Sequence, residues 1–393
     1  MRKNEKAFSF RKGITAALVL ACLLMLASCG KKEKNNNQIT DPATPTVTAT
    51  VTATATPNAT PTATPTPEVT EPPTPTPEEN HDGQIRSSLT NEWIDAKFAE
   101  QRPICVMMNN ILAGTPQSGI SKAGVVYECK VEGNITRLMP VIEDWEPLEK
   151  IGSIRSERTY YLSWALEWDA IYLHWGGQGA DNDTKVFAQK KINNLDGQTM
   201  LNVTFYRTKD RIAPHNGYAS GAGIVKGCNQ KKYSIPHTDR YAGPNHFVFA
   251  EDGKETVLND GIPANTVRPG YEENTPWFAY NEQEGIYYRY QYGKEHIDEL
   301  DGKQLTCKNI IIQYADSGFV PDTSNKTFQT IDSGKGGYFI TNGKAVPITW
   351  TKKSDNEPTR YYDKAGNEIV LNTGKTWICV VRSQDKNSVK IEQ

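Results

Sequence analysis

The 393-residue chain lacks a complete catalytic signature. It has no HExxH helix to hold a hydrolytic zinc and no GxSxG turn to present a serine nucleophile, and no two of its six histidines stand at helical ligand spacing. Asn372-Thr373-Gly374-Lys375-Thr376 ends like a phosphate-binding loop, but Ile369 stands where such a loop needs its first glycine, so a hairpin turn is expected there. Asp181-Asn182-Asp183 opens like a calcium loop, yet Lys185 and Val186 fill positions that require an oxygen donor and a glycine. No metal and no cofactor is expected.

Cysteine is scarce and badly spaced for crosslinking. Setting aside Cys22 and Cys29 leaves Cys105, Cys129, Cys228, Cys307 and Cys379, an odd set with neither zinc nor disulfide spacing. Cys105 and Cys129 lie inside apolar runs and are expected as buried thiols. An excess of either charge is also missing: 44 Lys and Arg against 46 Asp and Glu give a net charge of −2, with the lysine pairs scattered. Nothing there attracts a polyanion as large as nucleic acid.

Long apolar runs are absent except for residues 14–26, which follow Arg2, Lys3, Lys6, Arg11 and Lys12. At about 1.5 Å per residue the run is short for a membrane core of roughly 30 Å, and its layout is that of a secretory signal over residues 1–28. Leu26-Ala27-Ser28-Cys29 resembles the lipobox of bacterial lipoproteins. The resemblance implies a diacylglycerol thioether on Cys29 and an anchor on the extracytoplasmic face of the cell membrane; the plainer alternative is a secreted protein cleaved nearby. Residues 29–90 then read as a stalk. Between 40 and 77 they are almost all Thr, Pro, Ala and Val, as in TATPTPEVTEPPTPTP, too poor in large apolar groups to fold. At about 3.1 Å per residue such a stretch reaches on the order of 100 Å.

What remains divides into an α/β domain over residues 91–245 and a mostly antiparallel, β-rich domain over 246–393. VYECKVE and ITRLMPVIE flank Gly133-Asn134 and predict a hairpin. Residues 151–154 and 170–173 read as parallel strands joined by a helix that Ser156 caps, a βαβ unit in a mixed sheet. Two further helices are expected, one near Asp181 and one from Asn216 towards Lys231. Beyond Asn245 helical patterning stops, and runs such as NIIIQYA, GYFITNGKAVPITW and KTWICVVR alternate with Gly, Asn and Asp turns.

The βαβ reading brings the carboxyl ends of its strands together with a helix start, a place where open α/β sheets bind anions. Arg155 and Arg158 then line a ligand site with Ser156, Arg137 and His174; Gly176 and Gly177 let the backbone come close, and His215 and Asn216 reach the rim. Glu128 and Glu132 share a strand face by alternation and, with His174, are the candidates for acid–base catalysis. The competing reading is an internal ion-pair network in which Glu128, Glu132 or Asp169 neutralises the arginines.

VYECKVEGNITRLM, KIGSIRSERTYY, DAIYLHWGG and APHN occur in that order and are followed by GKGGYF, ITWTKKS and LNTGKTWI. Together they resemble the YerB-like bacterial lipoproteins, the domain-of-unknown-function family 3048, over about residues 102–382. By that resemblance the family's polar signature falls on Glu128, Glu132, Thr136, Arg137, Arg155, Ser156, Arg158, His174 and His215, with Glu157 where a small residue is usual. The family carries no established activity. The expected protein is a membrane-anchored binder of an anionic or polyhydroxy cell-envelope component such as a wall polymer or muropeptide. A hydrolase of such material and a scaffold that recruits a protein partner are the alternatives.

Overall fold

A computed structural model describes residues 81–393. The signal segment, Cys29 and most of the expected stalk lie outside the described residues. The fold is mostly sheet with few helices.

Its centre is a twelve-stranded mixed sheet, in which Val125–Lys130 and Thr136–Ile142 form the expected antiparallel hairpin. On one side of the hairpin, Ile104–Val106, Ile171–His174 and Asn194–Asp196 follow as parallel neighbours. On the other side, Val125–Lys130 pairs in parallel with Thr376–Arg382, which pairs in turn with Asn309–Ala315, and Asp332–Thr341 and Lys344–Lys352 extend the sheet. The sheet therefore runs through residue 245 without a break.

The two central strands, VVYECK and TWICVVR, read as nearly continuous apolar runs because both faces of the sheet are covered. Alternation distributes their side chains between two cores. Val126, Leu138, Ile310, Ile312, Trp377 and Cys379 enter one; Val125, Tyr127, Met139, Ile311, Ile378 and Val380 enter the other. Each core mixes residues from both halves of the chain. The five cysteines among the described residues are free and buried, and burial pushes the Cys105 and Cys129 thiols well up, so they pack as small apolar groups.

The expected βαβ unit is not formed where the sequence placed it. Ile151–Gly152 belongs to a separate three-stranded sheet, antiparallel to Gly217–Ala219, while Ile171–His174 sits in the central sheet. The helix between them is only Tyr161–Leu166, and Tyr160 rather than Ser156 precedes it, without a side-chain cap. The apolar run at 151–154 identifies a strand, but its partners lie far along the chain, where local pattern says nothing. The parallel crossover comes one unit later: Ile171–His174, helix Ala180–Lys190, then Asn194–Asp196. The last helix spans Gly221–Lys231, and the Ser220 hydroxyl accepts from the Gly223 amide to cap it.

After residue 245 the described elements are strands plus one 3-10 turn, Ser383–Ser388. The Asn372–Lys375 turn does not close a hairpin. It links Val370–Leu371, which pairs with Val248–Phe249, to Thr376–Arg382 of the central sheet.

Candidate functional site: a cationic edge of the sheet

Ile104–Val106, Ile171–His174 and Asn194–Asp196 end on the same side of the sheet. Arg155 is inserted between the first two ends: its amide donates to the Met107 carbonyl at 2.8 Å, and its carbonyl accepts from the Trp175 amide at 2.9 Å. The residue thus reaches the carboxyl edge by two isolated hydrogen bonds, although the βαβ topology invoked to bring it there is absent. Its side chain is half-buried, and the guanidinium makes no hydrogen bond or ion pair among the described residues. Burial lowers its pKa first, and the nearby charges of Arg158 and Arg207 lower it further.

The surroundings are equally cationic. Arg207 lies 4.1 Å above the Trp175 ring and donates to Asn216 Oδ1 at 2.8 Å. Two glycines also pack closely on that ring: a Cβ on Gly197 would meet it at 2.3 Å, and one on Gly217 at 2.6 Å. His215 Nδ1 lies 2.8 Å from the Asn109 amide nitrogen, so Nδ1 accepts and the proton sits on Nε2. Burial, then Arg155 and Arg211, lower the His215 pKa. Arg211 donates to the Gly114 and Pro116 carbonyls and pairs with Glu299 at 3.3 Å.

Arg137, on the hairpin, is buried and donates to the Ser156 carbonyl. Burial, then Arg158 and Arg155, push its guanidinium down to about 10. Ser156 therefore contributes a backbone acceptor rather than a helix cap. Arg158 binds Glu132 at 2.7 Å. Burial pushes the Glu132 carboxyl up, but Arg158 outweighs this and holds it below the ordinary glutamate value. Arg158 is thus neutralised, and Arg155 is not.

Other expected members are placed elsewhere. His174 is 1% exposed; its Nδ1 donates to the Gly176 carbonyl and its Nε2 accepts from Asn194, both at 2.9 Å, which fixes a neutral imidazole inside the fold. Gly176, at φ 71°, closes that turn, and Gly177 follows half-buried. Glu128 is 0% exposed. Its carboxylate accepts from Asn110, Thr136 and Asn274 on one oxygen, and from Arg289 and Trp377 on the other. Arg289 donates to His296 Nδ1, His296 Nε2 donates to Gln117, Gln117 donates to Asn110, and the ring closes on Glu128. Glu128 and His174 are both buried, and strand alternation did not carry Glu132 beside Glu128, because the strand stops at Lys130 and Glu132 lies in the turn.

The sequence reading missed Asn109, Arg207 and Arg211 at the edge and the whole Arg289–His296 network. RTKDR at 207–211 was the available signal, a dense cationic loop just ahead of APHN.

A cationic edge on a mixed sheet, built together with a β-rich second half, defines a two-part α/β and β protein. The chain belongs to the DUF3048 family: residues 89–234 match the model described as "Protein of unknown function (DUF3048) N-terminal domain", and 266–378 match its C-terminal domain. A Bacillus subtilis (strain 168) protein named "Putative lipoprotein YerB" is 29% identical over 315 residues, 78% of this chain and 89% of that protein. The crystal structure of the YerB protein from Bacillus subtilis superposes with a TM-score of 0.69 at 25% identity, covering 79% of this chain and all of that one.

Proposed function

We propose that this is a membrane-anchored lipoprotein of the cell envelope whose cationic sheet edge binds an anionic wall component. The anchor reading rests on the resemblance of the segment ending at Cys29 to a lipobox and on the lipoprotein name of the Bacillus relative. The ligand reading rests on one observation, the half-buried Arg155 guanidinium with cations around it and no internal counter-ion among the described residues. Gathering like charges is unfavourable unless an anion relieves it, and a planar guanidinium grips phosphate or carboxylate through two hydrogen bonds. Arg207 and His215 flank the same place, and Arg137 and Arg158 support the backbone behind it.

Isothermal titration of the full chain in mild detergent, with phosphate-bearing wall-polymer fragments and with muropeptides, tests the proposal. Arg155→Ala is expected to weaken binding by about tenfold or more, the loss of one charge-assisted contact. Equal binding by both proteins removes the site. A hydrolytic reading has less support, because two of its three candidate acid–base groups, Glu128 and His174, are sealed in the interior.

A further inference from the structure

Away from that edge, a cavity of about 500 Å³ opens between residues 85–103 and the loop around Tyr241. Its walls are largely apolar and aromatic, with Ile94, Phe98, Trp168 and Tyr241 among them, and two carboxyl groups, those of Glu143 and Glu100, are set into them. Volume and lining are those of a small-molecule site. Tyr241 is held by stacking on His237 at 3.6 Å, and His237 leans on Asp169 at 3.4 Å, so this wall is braced from behind.

Glu143 Oε2 accepts from the Ser87 hydroxyl at 2.7 Å, and the carboxyl forms no ion pair with a cation among the described residues. The one arginine in the cavity wall, Arg86, is committed elsewhere: it pairs with Asp252, donates to the Asn91 carbonyl at 2.8 Å and lies 3.8 Å over the Trp93 ring. Other ionisable groups around the cavity are Glu92, Glu100, His237 and Tyr241, with Lys97 over the Phe98 ring at 4.7 Å. Burial raises the Glu143 pKa to about 7, against the lowering effect of hydrogen bonds from Ser87, the Leu89 amide and Ser88, and the Glu92 charge adds a smaller push upward.

We propose that this cavity is a second binding site, for a small molecule that carries an ammonium group on an apolar stem. The ammonium pairs with Glu143 and supplies the counter-charge the described residues do not, while the stem lies against Phe98, Trp168 and Tyr241, rings held from another side by Lys97, His246 and His237. An anion has no place here, since Glu92, Glu100 and Glu143 repel it. The chemistry is opposite in sign to that of the arginine edge, so the two sites stand or fall separately.

The probe is benzylamine, with benzyl alcohol as its uncharged counterpart, titrated calorimetrically into the full chain. The amine keeps its charge at about pH 6 and about pH 8, whereas Glu143 ionises between them. Benzylamine is therefore expected to bind several-fold more tightly at the higher pH and to release a proton on binding, with benzyl alcohol binding weakly and independently of pH. Glu143→Gln keeps an acceptor for Ser87 and is expected to lower benzylamine affinity by about tenfold while leaving benzyl alcohol unchanged. Phe98→Ala, on the half-buried wall, weakens both. Equal binding of amine and alcohol, no pH dependence, or an unaffected Glu143→Gln variant overturns the proposal.

Discussion

Glu128 and Arg155 make the instructive contrast. Both are charged residues flanked by apolar sequence, and both looked like site residues. Glu128 sits in the middle of the sheet with its charge met by Arg289 and its lone pairs by Asn110, Thr136, Asn274 and Trp377. Arg155 sits at the edge with its charge met by no counter-ion among the described residues. A buried charge whose bonds are closed belongs to the architecture, whereas a half-buried charge left open invites a ligand. The neighbouring residue repeats the lesson on the opposite face: Tyr127 donates to Glu167, which is fully buried against Lys352 at 2.7 Å and accepts from Thr359. Adjacent positions on one strand thus meet two buried ion pairs, Glu128 as a member of one and Tyr127 as a donor to the other, and each pair ties the first half of the chain to the second.

The largest effect that would sharpen this contrast is on stability at the sealed pair. Arg289→Leu leaves Glu128 buried without its cation and is expected to cost on the order of 3–5 kcal/mol in denaturant unfolding. A loss under about 1 kcal/mol would break the distinction. An intermediate effect is expected at Glu143, whose folded pKa is raised. Its contribution is fully present below the ordinary glutamate value and is lost as pH rises through about 7. Wild type should lose on the order of 1–3 kcal/mol across that window, and Glu143→Gln should flatten the slope; identical pH profiles would refute it. The smallest effect belongs to Arg155. With no partner to lose among the described residues and like charges nearby, Arg155→Ala should change stability by no more than about 0.5 kcal/mol, in either direction. A large destabilisation would mean that the guanidinium is structural after all.

Much of the strand content was legible because it depends on neighbours in sequence. Gly133-Asn134 between two apolar runs fixed the hairpin, and the turn-punctuated runs after Asn245 fixed most later strands. Pairing over long distances was not legible. The apolar residues at 151–154 could join either sheet, and only the fold decides that Gly217–Ala219 is their partner and that Ile104–Val106 is the neighbour of Ile171–His174. The site was legible to the same degree. Arg155 stands out as a charge ending an apolar run, but His174 looks equally exposed until Gly176 and Asn194 are seen to occupy both its nitrogens. Alternation told which side of the strand Glu128 faces, not that Arg289, 161 positions later, would be waiting there.

The position of Thr376–Arg382 between Val125–Lys130 and Asn309–Ala315 also sets a clock. A ribosome completes the hairpin long before it makes the strand that flanks it, and Lys130 waits 255 positions for Asp385. Without that strand, Val125–Lys130 has one edge uncovered and both cores lack the side chains it contributes. A premature stop codon ahead of Thr376 therefore removes a strand from the middle of the sheet and not from its margin.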